Sequence, residues 1–222
     1  MEEGRLGGAL LHTLSHRGVV VTPSVKNAVG SLVRGVEANH RVSIYSPPPD
    51  DQLHTDGTAT IMFTDIVGSS SIMQRLGDHA GRVAISQHDE TIRLQTAAHE
   101  GTEVKSIGDG FMLSFRSARR GVACAVAMQR SLADYNSDHA ETPIAIRIGL
   151  SVGEPVRDKQ DLFGLSVIMA ARITAAATGD QVLVSEITYV LASSSGEFQF
   201  RPVGPVELKG LDGTFPLYEV VW

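Results

Sequence analysis

Two aspartates carry the first chemical signal. Asp65 stands near the end of a β-prone run, Thr-Ala-Thr-Ile-Met-Phe-Thr-Asp-Ile-Val over 58–67, and is followed by Gly68-Ser69-Ser70-Ser71. An ionised carboxylate in so apolar a strand is costly unless it is paired or metal-bound. The Gly/Ser turn opens a helical stretch, where free backbone N–H groups favour phosphate. A plain helix N-cap is the competing account of Asp65. Asp109 lies in Gly108-Asp109-Gly110, and aspartates also occupy tight turns for purely local reasons. What decides between these accounts is whether the fold brings the two carboxylates together. Two convergent carboxylates beside a phosphate-friendly turn are the parts of a two-metal phosphoryl-transfer site.

The elements that must position them alternate in type. After the strand 58–67, residues 68–100 are helical in composition, with Gly101 as a stop. Residues 102–107 and 111–115 are short strands around the Gly-Asp-Gly turn, a hairpin signal. An amphipathic helix over 117–136 carries Val122, Ala125, Val126, Gln129, Leu132 and Ala133 on one face. A strand over 143–152 follows, then a helix over 164–177, a strand over 181–185 and a short helix over 186–192. Strands over 198–203, 206–209 and 215–221 close the chain. The order β-α-β-β-α-β predicts an α+β fold with a ferredoxin-like core, helices lying on one face of an antiparallel sheet. In such a sheet the first strand is flanked by a strand of the hairpin, so Asp65 and Asp109 converge at the hairpin tip.

Composition narrows the function classes. Hydrophobic residues make up 42% and charged residues 20%, ordinary for a globular chain, while aromatics at 5% leave the core to aliphatic residues. A net charge of −6 argues against a general nucleic-acid binder. Cys124 is the lone cysteine, which excludes an internal disulfide and a multi-cysteine zinc site. No apolar run is long enough to span a membrane. The acidic start Met1-Glu2-Glu3 is unlike a secretory signal, so a cytoplasmic location is expected. Pro47-Pro48-Pro49 marks a linker over 46–57. It divides a segment 1–45, of dimer-forming or regulatory role, from a main domain over 58–222. His12 and His16 are four apart and could share a helix face as metal ligands, but no third ligand accompanies them.

Five short motifs occur in one register: Phe63-Thr64-Asp65-Ile66, Lys105-Ser106-Ile107-Gly108-Asp109-Gly110-Phe111, Asp161-Leu162-Phe163-Gly164, Ala170-Ala171-Arg172 and Glu207-Leu208-Lys209-Gly210. The set closely resembles the catalytic domain of class III nucleotide cyclases, and the short segment 153–160 resembles the shorter bacterial adenylate cyclase forms. The resemblance implies a homodimer with composite sites. Asp65 and Asp109 of one chain would hold two Mg²⁺ or Mn²⁺. Lys105 and Asp161 of the partner would select the base, Arg172 would stabilise the reacting phosphate, and Lys209 would hold the terminal phosphates. Ile66, Gly68, Ser69 and Ser70 would contribute at the phosphate turn, through backbone. Lysine is donor-only and ionised aspartate acceptor-only, which matches N1 and the 6-amino group of adenine and opposes guanine. ATP is therefore the expected substrate and cyclic AMP the product. One position departs from the family: Ile168 stands four residues before Arg172, where an asparagine is usual. A poorly active, nucleotide-binding regulatory module is the alternative expectation.

Overall fold

Both faces of the first strand are apolar because both are covered. In the computed structural model, which describes residues 57–222, β1 (Ala59–Ile66) lies inside a seven-stranded sheet. Met62 and Ile66 enter one apolar cluster, and Ala59 and Ile61 enter another on the opposite face. Burying side chains of this size contributes about 1.5–3 kcal/mol each. The expected segment 1–45, its His12 and His16, and the linker up to Asp56 lie outside the described residues.

The chain continues through α1 (Ser69–Ala98), β2 (Thr102–Ile107), β3 (Gly110–Phe115), α2 (Ala118–Asp138) and β4 (Ile146–Gly153). These elements form the expected β-α-β-β-α-β core, with strands in the order β2-β3-β1-β4. β5 (Val156–Asp158) and β6 (Asp161–Phe163) form a separate small hairpin. Then come α3 (Leu165–Ala176), β7 (Val182–Ser185), α4 (Glu186–Ser193), β8 (Gln199–Glu207) and β9 (Thr214–Val221). β7, β9 and β8 extend the sheet beyond β4, and among the described strands only the β4–β7 pair is parallel.

α1 and α2 pack on one face of the sheet through Ile72, Ala84, Ile92, Val122, Ala125 and Leu132. Helices on that face alone would leave Ile61 and Met112 bare. α3 instead covers the other face, where its Ala170 meets Ala59, Ile61, Val104 and Met112. Its backbone lies directly on β4: a Cβ at Gly149 would stand 2.3 Å from the Thr174 nitrogen.

Several boundaries move for local reasons. Gly77, at φ 72° and ψ 172°, breaks the helical geometry within α1. The left-handed position after α1 belongs to Glu100, at φ 56°, not to Gly101. Gly101 is needed for a different reason: a Cβ there would lie 2.3 Å from the Phe115 ring. On α2, Val122, Ala125, Val126, Gln129 and Leu132 are buried as expected, but Ala133 is exposed. The strands expected over 198–203 and 206–209 are one strand, β8, with a register shift between Pro202 and Gly204.

Candidate active site at the β2–β3 hairpin

The register of β1 against β3 sets Thr64 opposite Phe111, and the Phe111 N–H donates to Thr64 Oγ1 at 3.2 Å. Gly110 is pressed onto the end of β1. A Cβ there would lie 2.0 Å from the Thr64 carbonyl oxygen and 3.3 Å from the Asp65 Cα. Gly108, on the other side of Asp109, has φ 64°, a left-handed turn conformation that glycine adopts at no steric cost. The two glycines thus bend the hairpin and seat it, and Asp109 is carried to the end of the strand that bears Asp65.

Asp65 does not cap the following helix. Gly68 is the N-cap of α1, at φ 70°, and no side chain caps that end. Ser69 and Ser70 begin the helix there, and neither an acidic residue nor a cap occupies its first turn. The Asp65 carboxylate instead meets Arg147, its direct cross-strand neighbour on β4. Arg147 Nε and Nη2 both donate to Asp65 Oδ2, at 2.8 and 2.5 Å. Reading the sequence alone missed Arg147. Its partner lies 82 positions away, and only the strand register reveals the pair.

Lys105 and Asp161 are joined by a 2.5 Å ion pair within one chain. A bulge makes this possible. Glu103 faces α1, where it accepts from Arg93 Nε at 2.9 Å. Strict alternation would send Lys105 to that same face. The register shift between Glu103 and Lys105 sets Lys105 opposite Met112 and turns it to the α3 side. On that side the β5–β6 hairpin supplies Asp161, whose other oxygen accepts from the Leu162 N–H at 2.8 Å. The Phe163 ring, half exposed, lies 5.9 Å from Lys105 Nζ.

Arg172 lies exposed on α3, one turn after Ile168, which is 47% exposed. Lys209 follows Leu208, which is buried against Ile173 and Ala177 at the end of α3. Ile66 is buried and Gly68 exposed. Among the described residues, no ion pair joins Lys105, Asp161, Arg172 or Lys209 to Asp65 or Asp109. One chain therefore carries two sets: Asp65, Asp109 and Arg147 at the hairpin tip, and Lys105 with Asp161 beside α3.

The hairpin-tip donors fit a hard divalent cation. They are two carboxylates with no thiol or imidazole among them, the donor type that Mg²⁺ and Mn²⁺ take. Among the described residues no group of three or more His, Cys, Asp or Glu is placed to hold a metal ion. Two carboxylates leave the rest of a six-oxygen shell to water and substrate, the usual arrangement for Mg²⁺ at a nucleotide. Cys124 is remote from this chemistry. Burial pushes its thiol up to about 12, so it is no nucleophile at neutral pH.

Residues 52–220 match the family described as the adenylate and guanylate cyclase catalytic domain. An adenylate cyclase of Neurospora crassa is 31% identical, the match covering 81% of this chain and 10% of that protein. A receptor-type adenylate cyclase of Trypanosoma congolense is 27% identical, over 72% of this chain and 27% of that one. The chain thus spans about a tenth to a quarter of these relatives' lengths. Among solved structures, an adenylate/guanylate cyclase/hydrolase from Silicibacter pomeroyi is 26% identical with a TM-score of 0.65, covering 74% of this chain and 96% of that one. The adenylyl cyclase CyaB from P. aeruginosa shares the fold with a TM-score of 0.67 at 21% identity, over 75% of this chain and 94% of that one.

Proposed function

Because the chain belongs to the adenylate and guanylate cyclase catalytic-domain family, we propose that it converts ATP to 3′,5′-cyclic AMP and pyrophosphate at a site shared by two copies of itself. The observation that carries the choice of ATP is the Lys105–Asp161 pair at 2.5 Å. One donor-only and one acceptor-only group side by side match the adenine edge. Guanine reverses both positions, and each mismatched buried group costs about 1–3 kcal/mol.

The reaction is attack of the ribose 3′-oxygen on the α-phosphorus, with the bond to the pyrophosphate oxygen breaking. Asp65 and Asp109 would hold two Mg²⁺ or Mn²⁺, which when bound would lower the pKa of the attacking hydroxyl and screen the phosphate charge. Lys105 and Asp161 of the other copy fix the base and thereby the ribose. Arg172 balances charge building on the reacting phosphate. Lys209 holds the terminal phosphates, and the Gly68-Ser69-Ser70 turn, entered from Ile66, offers backbone N–H groups to them. No helix among the described residues is long and apolar enough to cross a membrane.

A second reading rests on Ile168. Its exposed side chain stands one helical turn from Arg172 and offers no hydrogen bond, so a module that binds ATP and turns it over slowly is the alternative. Incubating the purified chain with ATP and Mn²⁺ tests both. Cyclic AMP formation faster with Mn²⁺ than with Mg²⁺, abolished by chelator and by Asp65→Ala, is expected. A rate indifferent to Asp65→Ala overturns the enzyme reading, and ATP binding without product supports the regulatory one.

A further inference from the structure

We propose that Arg147 is an internal counter-ion that competes with the divalent cation for Asp65, and so sets the metal affinity of the nucleotide-free chain. The inference rests on the reading of Asp65 as a metal ligand, and adds a residue that the five motifs do not contain.

Three observations carry it. Asp65 and Arg147 are directly opposed in the β1–β4 ladder, so their approach is fixed by strand register. The neighbours of Arg147 on β4, Ile146 and Ile148, are completely buried, which anchors the strand on either side. Both guanidinium bonds fall on one carboxylate oxygen, Oδ2, and leave Oδ1 outside the pair.

A guanidinium does not give up its proton in a protein. A divalent ion arriving at Asp65 therefore meets a fixed positive charge already on the same carboxylate. For the ion to take the carboxylate the arginine must withdraw from it, and that cost weakens binding. The pair is only about a third exposed on each side, so solvent screens the repulsion incompletely.

The test is Mn²⁺ binding to the nucleotide-free full chain, followed by the electron paramagnetic resonance of free Mn²⁺. Arg147→Met should bind Mn²⁺ on the order of tenfold more tightly than the parent chain, because a partly screened positive charge is gone. Arg147→Lys should stay close to the parent, because the charge is kept. Equal or weaker binding by Arg147→Met, or a tightening in Arg147→Lys as large as in Arg147→Met, overturns the proposal. Asp65→Asn separates the two readings. If it binds Mn²⁺ as the parent does, the metal site itself is misassigned. If it loses Mn²⁺ while Arg147→Met is unchanged, only the role of Arg147 fails. Should Arg147→Met lose its circular dichroism, the unmutated chain decides. On Mg²⁺ titration the Arg147 Nε–H nuclear magnetic resonance signal should move towards a solvent-exchanging state, and a signal unchanged at saturation overturns the proposal.

Discussion

In the proposed mechanism, position 168 is where an apolar side chain stands in place of a hydrogen-bond donor. Ile168 and Arg172 are one turn apart on α3 and so share its surface. The first is apolar and 47% exposed. An amide there would add a hydrogen-bond donor beside the arginine, and a positioned donor is worth about 10²–10³ in rate. Ile168→Asn should therefore raise kcat by tenfold or more, on the order of that effect, and change KM little, since the group acts chiefly in the transition state. Steady-state kinetics with ATP and Mn²⁺ check this, and an unchanged or lower kcat means that the helix does not present position 168 to the substrate. Asp65 was legible in the sequence because it breaks a local rule, a charge in an apolar strand; Asp109, by itself an ordinary turn residue, was legible only through the hairpin signal that carries it to the end of β1. Arg147 breaks no local rule. A strand arginine is ordinary until the register sets it against Asp65.

The hairpin and the end of β1 work as one unit, and Gly110 is the contact between them. A methyl group at 110 would stand 2.0 Å from the Thr64 carbonyl oxygen, so β1 and β3 would have to part at the place where both aspartates are carried. Gly110→Ala should cost about 1–3 kcal/mol of stability and lower the activity far more than that loss of folded protein explains. Gly108→Ala makes the contrast. Nothing lies within 4 Å of a Cβ there, and only its left-handed backbone, at φ 64°, is penalised, by about 1–2 kcal/mol. Urea midpoints and cyclase rates for the two variants check the pair of expectations; a Gly110→Ala chain as active as Gly108→Ala would mean that the close approach does not position the site. The hairpin could be read from its turn residues. The bulge between Glu103 and Lys105 could not, because Thr-Glu-Val-Lys has no residue that marks one. The β5–β6 hairpin was also missed. Its strands of three residues are too short to show alternation, although they place Asp161 on Lys105. β8 was split in two because Pro202, Gly204 and Pro205 look like a break and are accommodated at a sheet edge.

The whole chain presents its two sets of groups as halves. Lys105 and Asp161 satisfy each other, while Asp65 pairs with Arg147, and no ion pair among the described residues links the two sets. Around the first set Val156, Phe163, Leu165 and Ile168 leave large apolar side chains in solvent. Such a grouping suits a surface covered by another copy. In a symmetric dimer each of two equivalent sites then draws Asp65 from one copy and Lys105 from the other. Asp65→Ala alone spoils both sites, and so does Lys105→Ala alone. Mixing the two variants puts both lesions into one site of a mixed dimer and leaves the other site intact. With random exchange about half the dimers are mixed, each with one working site of two, so activity should recover to roughly a quarter of the unmutated level. Cyclic AMP production after co-expression, set against each variant alone, measures the recovery. If mixed dimers are isolated through two different affinity tags and stay as inactive as the parents, the site lies within one chain. Asp65 and Lys105 of the same copy would then have to meet across β3, two strand spacings of about 4.8 Å each, with Met112 and Phe63 in the row between them.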